Sequence, residues 1–323
     1  MQRILIIKLG ALGDVIMATA LVEAICRHHA EDRVTVLTSP RFATLFRERE
    51  NLNVHGMDRH GLRNTLAMLQ YLRRGRFRRV YDLQSNDRTR WLCALASIPE
   101  RVGNHTHWPY TLHPAQPWDR DEHIFKRYCR VLESAEVPVS ATLPQVPAST
   151  ETQQFIADWR EAVGLTRTPF CILHAGASAL RPLKRWPRFA ELARVLRARG
   201  LEVVWIGGPE EHELNQRLSA AGGIDATAAF DITGLTELGR HARFAVTNDS
   251  GPMHALAASG IAVFGLFGPS DWRRNHALGQ REHVLTGPGY DGDLTARNGA
   301  NGLDLLSAET VVERLSNAGL LTA

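Results

Sequence analysis

The stretch RFAVTNDSGPMHALAASGIAVFGLFGP, residues 243–269, predicts a strand, a loop, a helix and a second strand in succession. The apolar runs at 244–246 and 261–267 are typical of buried strands in a parallel sheet. Between them, residues 253–259 predict a short helix that ends at Gly260. The stretch therefore predicts an α/β architecture in which strands alternate with helices.

The loop of this stretch is a candidate site for an anionic group. Ser250, Gly251 and His254 would lie in or near the first turn of the helix, where free N–H groups and the positive end of the helix dipole favour a phosphate. Asp249 and Ser250 are also ordinary helix-capping residues. The density of polar groups around Gly251, at the carboxyl end of a strand, favours the binding interpretation.

A second strand–loop–helix pattern opens the chain. RILIIKL at 3–9 predicts a buried strand, and residues 15–28 predict a helix. Gly10 and Gly13 would permit a tight turn and the close approach of a phosphate, but the dinucleotide fingerprint needs three glycines. Asp14 would lie near the helix N-terminus, either as a partner of the helix dipole or as a general base at the carboxyl edge of the sheet.

The same alternation continues to the end of the chain. Further strands are expected at 34–38, 79–83, 170–174, 201–206 and 283–285. The Pro- and Ser-rich stretch 137–150 predicts a linker between domains. We therefore expect two Rossmann-like, doubly wound parallel-sheet domains, 1–148 and 149–323, facing one another across a cleft, with the last helix (307–318) free to pack back on the first domain.

Composition places the chain among globular proteins. Apolar residues make up 44% of its 323 residues and charged residues 22%. No apolar run is long enough to span a bilayer, and Lys8 and Asp14 interrupt the N-terminal apolar stretch, so no signal peptide is expected. The cysteines lack metal-ligand spacing and predict reduced thiols in a cytoplasmic protein; they are Cys26, Cys93, Cys129 and Cys171.

The two halves of the chain differ in charge. Residues 1–150 contain 21 Lys and Arg against 15 Asp and Glu, whereas residues 151–323 contain 17 against 19. A basic first half suits an anionic partner, such as a phosphorylated substrate, an acidic membrane surface or nucleic acid. No nucleic-acid-binding motif is present, so nucleic acid is not expected. The arginine run at 73–79 fits a solvated helix end equally well.

Three loops of the second half should converge at one sheet edge, because the carboxyl ends of parallel strands lie together. They carry Ser178 and Lys184, then Glu213, then residues 249–254. A lysine, a hydroxyl and a helix N-terminus suit a diphosphate, and a carboxylate suits ribose hydroxyls. Together these loops predict a nucleotide site.

Four motifs resemble glycosyltransferase family 9, the bacterial heptosyltransferases, which include those of lipopolysaccharide core synthesis. They occur in the family's order over nearly the whole chain, with 286–304 the least family-like part; they are ILIIKLGALGDVIMATALVEAI (4–25), LHAGAS with LKRWP (173–187), IGGPEEHEL (206–214) and TNDSGPMHALAASGIAVFGLFGPSD (247–271). The resemblance implies a GT-B fold and an inverting transfer from a nucleotide sugar, usually ADP-heptose, with no cofactor and no required metal.

Carried over by motif, the resemblance implies a role for each candidate residue. Asp14 would be the general base. The donor would be held by Ser178 and Lys184 at the diphosphate, by Glu213 at the ribose with Glu211 as the nearby alternative, and elsewhere by Asp249, Ser250, Gly251 and His254. The acceptor would be an anionic glycolipid, reached by peripheral contact with the inner membrane. Charge alone suggests His60, Arg63 and Arg88 for it.

Metal-binding patterns are weak by comparison. The histidines at 105, 107 and 113 lie in an irregular loop without a second cluster, which favours loop histidines. Asp291 and Asp293 match the Asp-x-Asp pattern of metal-dependent glycosyltransferases, but they lie in a Gly-rich segment near the C-terminus and are interpreted as loop residues. No metal site is predicted.

Three alternatives remain open at this point. One is a transferase of the same fold that uses another nucleotide sugar. A second is a nucleotide-sugar epimerase, which would need further acid–base groups and would turn over the donor without an acceptor. The third is a non-catalytic binding protein, which would tolerate loss of Asp14.

Overall fold

The computed structural model describes residues 1–49, 51–58, 60–119, 121–140, 143–177, 182–288, 290 and 302–321. Its internal contacts divide the chain into two compact units, Met1–Pro147 (the first unit) and Ala148–Ala323 (the second unit). The division falls inside the Pro- and Ser-rich stretch 137–150. Each unit is built around one parallel β-sheet.

The first unit has the strand order β3-β2-β1-β4-β5, and all neighbouring strands are parallel. Its strands are β1 (Arg3–Ile7), β2 (Arg33–Thr38), β3 (Leu52–Gly56), β4 (Arg79–Asp82) and β5 (Glu100–Val102). Its helices are α1 (Leu12–His28), α2 (Thr44–Arg47), α3 (Leu62–Gly75), α4 (Asp87–Leu95) and α5 (Ile124–Glu133).

Burial explains the central position of β1 and α1. Residues 4–7 of β1 are fully buried, which fits an apolar run in a strand covered on both faces. Most of α1 is buried, and it packs against α5. The opposite face of the sheet is covered by α3 and α4, through side chains such as Met68, Leu72 and Leu92. The first loop of the chain is therefore anchored to the rigid centre of the unit.

The second unit has the strand order β11-β10-β9-β6-β7-β8, again entirely parallel. Its strands are β6 (Phe170–His174), β7 (Glu202–Gly207), β8 (Ile224–Thr227), β9 (Phe244–Asn248), β10 (Ala262–Phe267) and β11 (Val284–Thr286). Its helices are α6 (Thr150–Ala162), α7 (Phe189–Ala198), α8 (His212–Ala220), α9 (Ile232–Gly239), α10 (Gly251–Ala257), α11 (Trp272–Asn275) and α12 (Ala308–Asn317).

Both sheets have a topological switch point. In each unit the chain adds strands outward on one side of its first strand, then crosses to the other side with its fourth. The switch points lie between β1 and β4 and between β6 and β9. Because the loops leaving such a pair of strands turn toward opposite faces, they open a crevice at the carboxyl edge where ligands bind in this class of sheet. Candidate site residues are therefore expected at these two crevices.

The differences from the sequence expectation have local causes. β3, β5 and β8 were not expected; all three are short edge strands with polar residues and no apolar run. α4 begins at Asp87 because Asn86 caps it, its Oδ1 accepting the Thr89 N–H at 3.0 Å. Lys184 ends a 3-10 turn, and α7 begins only at Phe189.

The last helix, α12, packs on α7. Its residues Val311, Val312 and Leu315 are part of the core of the second unit, together with Leu196 of α7. The described contacts thus place α12 in the second unit. From the sequence alone, packing on the first unit was also expected to be open to it. Among the described residues, no helix is long and apolar enough to cross a membrane.

Candidate functional site

Asp14 lies at the switch point of the first sheet, in the first turn of α1. The loop that delivers it is fixed by neighbouring strands: the Gln84 side chain, just after β4, accepts the N–H groups of Leu9 and Gly10 at 2.9 and 3.1 Å. Gly10 has a φ of 151°, a conformation that side chains disfavour. The Asp14 side chain is 32% exposed, so its carboxylate is both held and accessible.

A buried ammonium group lies beside this carboxylate. The side chain of Lys8 is only 1% exposed, and its Nζ lies 3.7 Å from Oδ2 of Asp14. Nζ also donates to the Leu83 carbonyl at 3.2 Å and to the Tyr128 hydroxyl at 2.7 Å. Burial lowers the pKa of Lys8 to about 8, although the charge of Asp14 opposes this shift.

The other carboxylate at this sheet edge, Asp82, is enclosed. It accepts the Tyr110 hydroxyl at 2.7 Å and the Ser85 N–H at 2.9 Å. Burial raises the pKa of Asp82, and these hydrogen bonds oppose the rise. With no exposure to solvent, Asp82 orders the loop after β4, whereas the Asp14 side chain is partly exposed.

Lys184 and Asp249 form an ion pair at the switch point of the second sheet. Their side chains are 12% and 9% exposed. Asn248 ties the two loops together, because its amide donates to the carbonyls of Ala175 and Gly176 and accepts the Trp186 N–H, at 2.9 to 3.1 Å. The predicted meeting of Lys184 with the loop after β9 is therefore present.

A hydrogen-bonded chain of three side chains lies next to this pair. Nε2 of His174 is 3.1 Å from Oε2 of Glu211, and Nδ1 of His174 is 3.0 Å from the Ser250 hydroxyl. Burial alone would raise the pKa of Glu211, but its hydrogen bond with His174 and that from the Gly208 N–H lower it overall. An ionised Glu211 only accepts, so Nε2–H of His174 donates to it; in the neutral imidazole Nδ1 then accepts the Ser250 hydroxyl.

The other described residues predicted for the donor site lie on α10 and α8. Ser250 is the N-cap of α10, Gly251 is its first residue, and His254 is buried within it. Glu213 is exposed in the first turn of α8, whereas Glu211 is buried. Ser178, like Asp291 and Asp293, lies outside the described residues.

The three predicted acceptor residues lie at the start of two helices, α3 and α4. His60 and Arg63 are exposed at the start of α3, which follows the edge strand β3. Arg88 is exposed in the first turn of α4, after β4 and thus nearer the switch point. The two helices, α3 and α4, are in contact with each other, and the acceptor role of the three residues stays a prediction.

Other basic groups lie near Asp82 and Lys8. Burial lowers the pKa of His105, and the nearby positive charges of Arg90 and Arg127 lower it further; Arg127 also acts on Lys8. These residues come from the loop after β5, from α4 and from α5, so no sequence spacing reveals their convergence. Lys8 did carry a signal, because a lysine inside the buried strand motif RILIIKL demands a partner.

No metal-ligand cluster is found within the described parts of the chain: no three His, Cys, Asp or Glu side chains there are grouped to hold an ion.

Comparisons with known proteins agree with this arrangement of motifs. The chain is 27% identical over 311 residues to lipopolysaccharide heptosyltransferase 2 of Salmonella typhimurium, a match that covers 88% of each chain. The structure of E. coli ADP-heptose LPS heptosyltransferase II superposes with a TM-score of 0.78 at 22% identity, covering 98% of each chain. The iron-containing dodecameric glycosyltransferase TibC of enterotoxigenic E. coli gives a TM-score of 0.61 at 14% identity, covering 98% of this chain and 77% of TibC.

These structural matches confirm the predicted GT-B fold, built from two parallel-sheet α/β domains. The family model of glycosyltransferase family 9 (heptosyltransferase) matches residues 65–292, more than half of the chain. Its match includes the segments that carry Lys184, Glu211 and Asp249. The chain therefore belongs to glycosyltransferase family 9, the heptosyltransferase family.

Proposed function

We propose that the protein transfers heptose from ADP-heptose to an anionic acceptor of the lipopolysaccharide inner core, with inversion at the anomeric carbon. Family membership and the names of the relatives support the donor and the acceptor class. The observation that carries the proposal is the position of Asp14, an accessible carboxylate beside a buried ammonium at the switch point of the first sheet.

The acceptor hydroxyl needs a base. A sugar hydroxyl has a pKa of roughly 16 and attacks poorly, so a positioned carboxylate must take its proton while the new C–O bond forms. Asp14 takes that role, since its side chain is accessible and its loop is fixed by Gln84. Attack from the face opposite the departing diphosphate inverts the anomeric carbon.

The leaving group needs positive charge. Negative charge grows on the diphosphate of ADP as the glycosidic bond breaks, and preorganised cations and N–H groups stabilise it. Lys184 supplies the ammonium, and the Ser250–Gly251 segment supplies backbone N–H groups at the start of α10. Asp249 holds Lys184 in place before the donor arrives.

Lys184 supplies positive charge at the leaving group, and we therefore infer that transfer needs no metal ion or cofactor. TibC, in contrast, is an iron-containing glycosyltransferase. Transfer is expected to persist after treatment with EDTA or with an iron chelator. Activity lost on chelation and restored by one added metal would overturn this part of the proposal.

The main test separates donor binding from transfer. Calorimetry would compare ADP-heptose, ADP, UDP-GlcNAc and GDP-mannose on the wild type and on Asp14→Asn, followed by transfer assays with a Kdo–lipid A acceptor. We expect selective ADP-heptose binding by both proteins and transfer by the wild type alone. Tight binding of another nucleotide sugar would overturn the substrate, and turnover of the donor without acceptor would indicate an epimerase.

A further inference from the structure

Lys8 is a fully buried lysine whose ammonium contacts the proposed catalytic base. We propose that Lys8 is a positioning residue, which fixes the Asp14 carboxylate through a direct ion pair while its own ammonium is anchored by the Leu83 carbonyl and the Tyr128 hydroxyl. This inference rests on the proposed function, since it assigns Lys8 a part in the reaction through Asp14.

The hydrogen bonds of the ammonium leave it a single orientation. Two of its N–H groups are directed to the Leu83 carbonyl, at 3.2 Å, and to the Tyr128 hydroxyl, at 2.7 Å. Asp14 occupies the remaining side at 3.7 Å. Because Leu83 and Tyr128 hold the ammonium independently of Asp14, it cannot follow the carboxylate if Asp14 rotates away. The fixed ammonium therefore defines the position of the carboxylate.

Tyr128 anchors the ammonium of Lys8. Its hydroxyl oxygen accepts a hydrogen bond from Nζ at 2.7 Å, and Nζ also lies 4.5 Å from the centroid of the Tyr128 ring. Burial raises the pKa of Tyr128 well above its usual value, and the charge of Asp14 raises it further. Tyr128 therefore stays protonated, and its hydroxyl oxygen remains an acceptor for Lys8, throughout the working pH range.

The charges around Lys8 come from each element that packs against it. Asp14 on α1 and Asp82 at the end of β4 favour the ammonium form, and Arg127 on α5 opposes it. Desolvation is the strongest influence and lowers the pKa of Lys8 to about 8. Lys8 is therefore charged at neutral pH and loses its charge on moderate alkalinisation, which should leave Asp14 without its orienting partner.

A burial cost of this kind is unusual for a purely structural residue. An apolar side chain would fill the strand position after β1 without desolvating a charge. The cation is retained where it touches an accessible carboxylate at the switch point. Partners that orient metal ligands affect activity about 10- to 100-fold when removed, and we expect an effect of similar size from Lys8.

The test is a double-mutant cycle of Lys8→Met and Asp14→Asn, with exposed Lys126→Met as the matched control. We expect Lys8→Met to lower kcat about 10- to 100-fold with unchanged ADP affinity. In the Asp14→Asn background the same change should have no further effect on the residual rate. In the wild type, kcat should fall above about pH 8, and this alkaline fall should be absent in Lys8→Met.

Several results would overturn the assignment. A Lys8→Met enzyme with wild-type kcat would do so, as would an equal loss in both backgrounds or a wild-type kcat that stays constant well above pH 8. If Lys8→Met does not fold, Tyr128→Phe removes the hydroxyl that anchors the Lys8 ammonium and keeps the ring. It should lower kcat and leave ADP affinity unchanged, and a wild-type kcat there would contradict the inference. An Asp14→Asn enzyme as active as the wild type would refute the proposed base itself, which distinguishes the two failures.

Discussion

Gly176 packs directly against the carboxylate of Glu211: a Cβ atom at position 176 would overlap Oε1 of that side chain. This contact joins the loop after β6 to the 3-10 turn that precedes α8. Glu211 is hydrogen-bonded to His174, and His174 to Ser250. A displacement of Glu211 by a side chain at position 176 would therefore also affect the N-cap residue of α10. The proposed donor site of the second unit is thus built on a buried carboxylate.

Gly176→Ala should damage this site. The added methyl group must displace Glu211, and overpacking of this kind costs about 1–3 kcal/mol of folding free energy. We expect a lower free energy of unfolding in urea and at least tenfold weaker ADP binding by calorimetry. In the Glu211→Ala background, where the space is vacated, the same substitution should cost much less. Equal losses in the two backgrounds would show that the glycine acts elsewhere.

Glu211 and Glu213 should differ in role. Glu213 is exposed and available to ribose hydroxyls, whereas the Glu211 carboxylate is occupied by His174 and the Gly208 N–H. Glu213→Gln should therefore weaken ADP binding several-fold with no loss of stability, and the effect should vanish with 2′,3′-dideoxy-ADP. Glu211→Gln should lower the melting temperature. A Glu213→Gln protein with wild-type affinity for ADP would remove Glu213 from the donor site.

Sequence patterns were sufficient to predict the alternation of strands and helices, because fully buried strands such as β6 and β9 appear in the sequence as mostly apolar runs. They placed Asp14 correctly after β1, since a buried strand, a glycine-containing loop and an apolar helix follow one another in the sequence. They missed β3, β5 and β8, whose edge positions require only a few residues and no apolar run.

The site itself was less accessible to sequence reasoning. Glu211 and Glu213 are two residues apart, so only the three-dimensional path of the turn before α8 determines which one is buried. The links from His174 to Ser250 and from Lys8 to Tyr128 span 76 and 120 residues. Such contacts depend on the strand order of the sheets, and no local spacing encodes them.

Lys184→Met should weaken binding of the diphosphate and spare that of the nucleoside. Loss of a charge-assisted contact to phosphate is worth about 1.5–3 kcal/mol, roughly a 10- to 100-fold change in affinity. Calorimetry with ADP and with adenosine is expected to show this loss for ADP only. The variant also leaves Asp249 without its ion-pair partner, so Lys184→Met with Asp249→Asn controls for the uncompensated charge. Equal weakening of ADP and adenosine would argue for a distorted pocket.

Burial of Lys8 should also appear in the pH dependence of stability. Its folded-state pKa of about 8 lies below the ordinary value of 10.5. Below pH 8 both folded and unfolded chains carry the proton, and the full cost of burying the ammonium is present. Between pH 8 and 10.5 the folded chain releases the proton first, so this cost declines as the pH rises.

Urea unfolding of the wild type and of Lys8→Met at several pH values from 7 to 10 measures this term. The wild type should gain stability relative to Lys8→Met across that interval, with a limit of about 3 kcal/mol set by the size of the pKa shift. Burial raises the pKa of Cys26 and Cys129 to about 11, which acts in the opposite direction but equally in both proteins. A stability difference that stays constant from pH 7 to 10 would mean that the Lys8 ammonium is not desolvated in the folded chain.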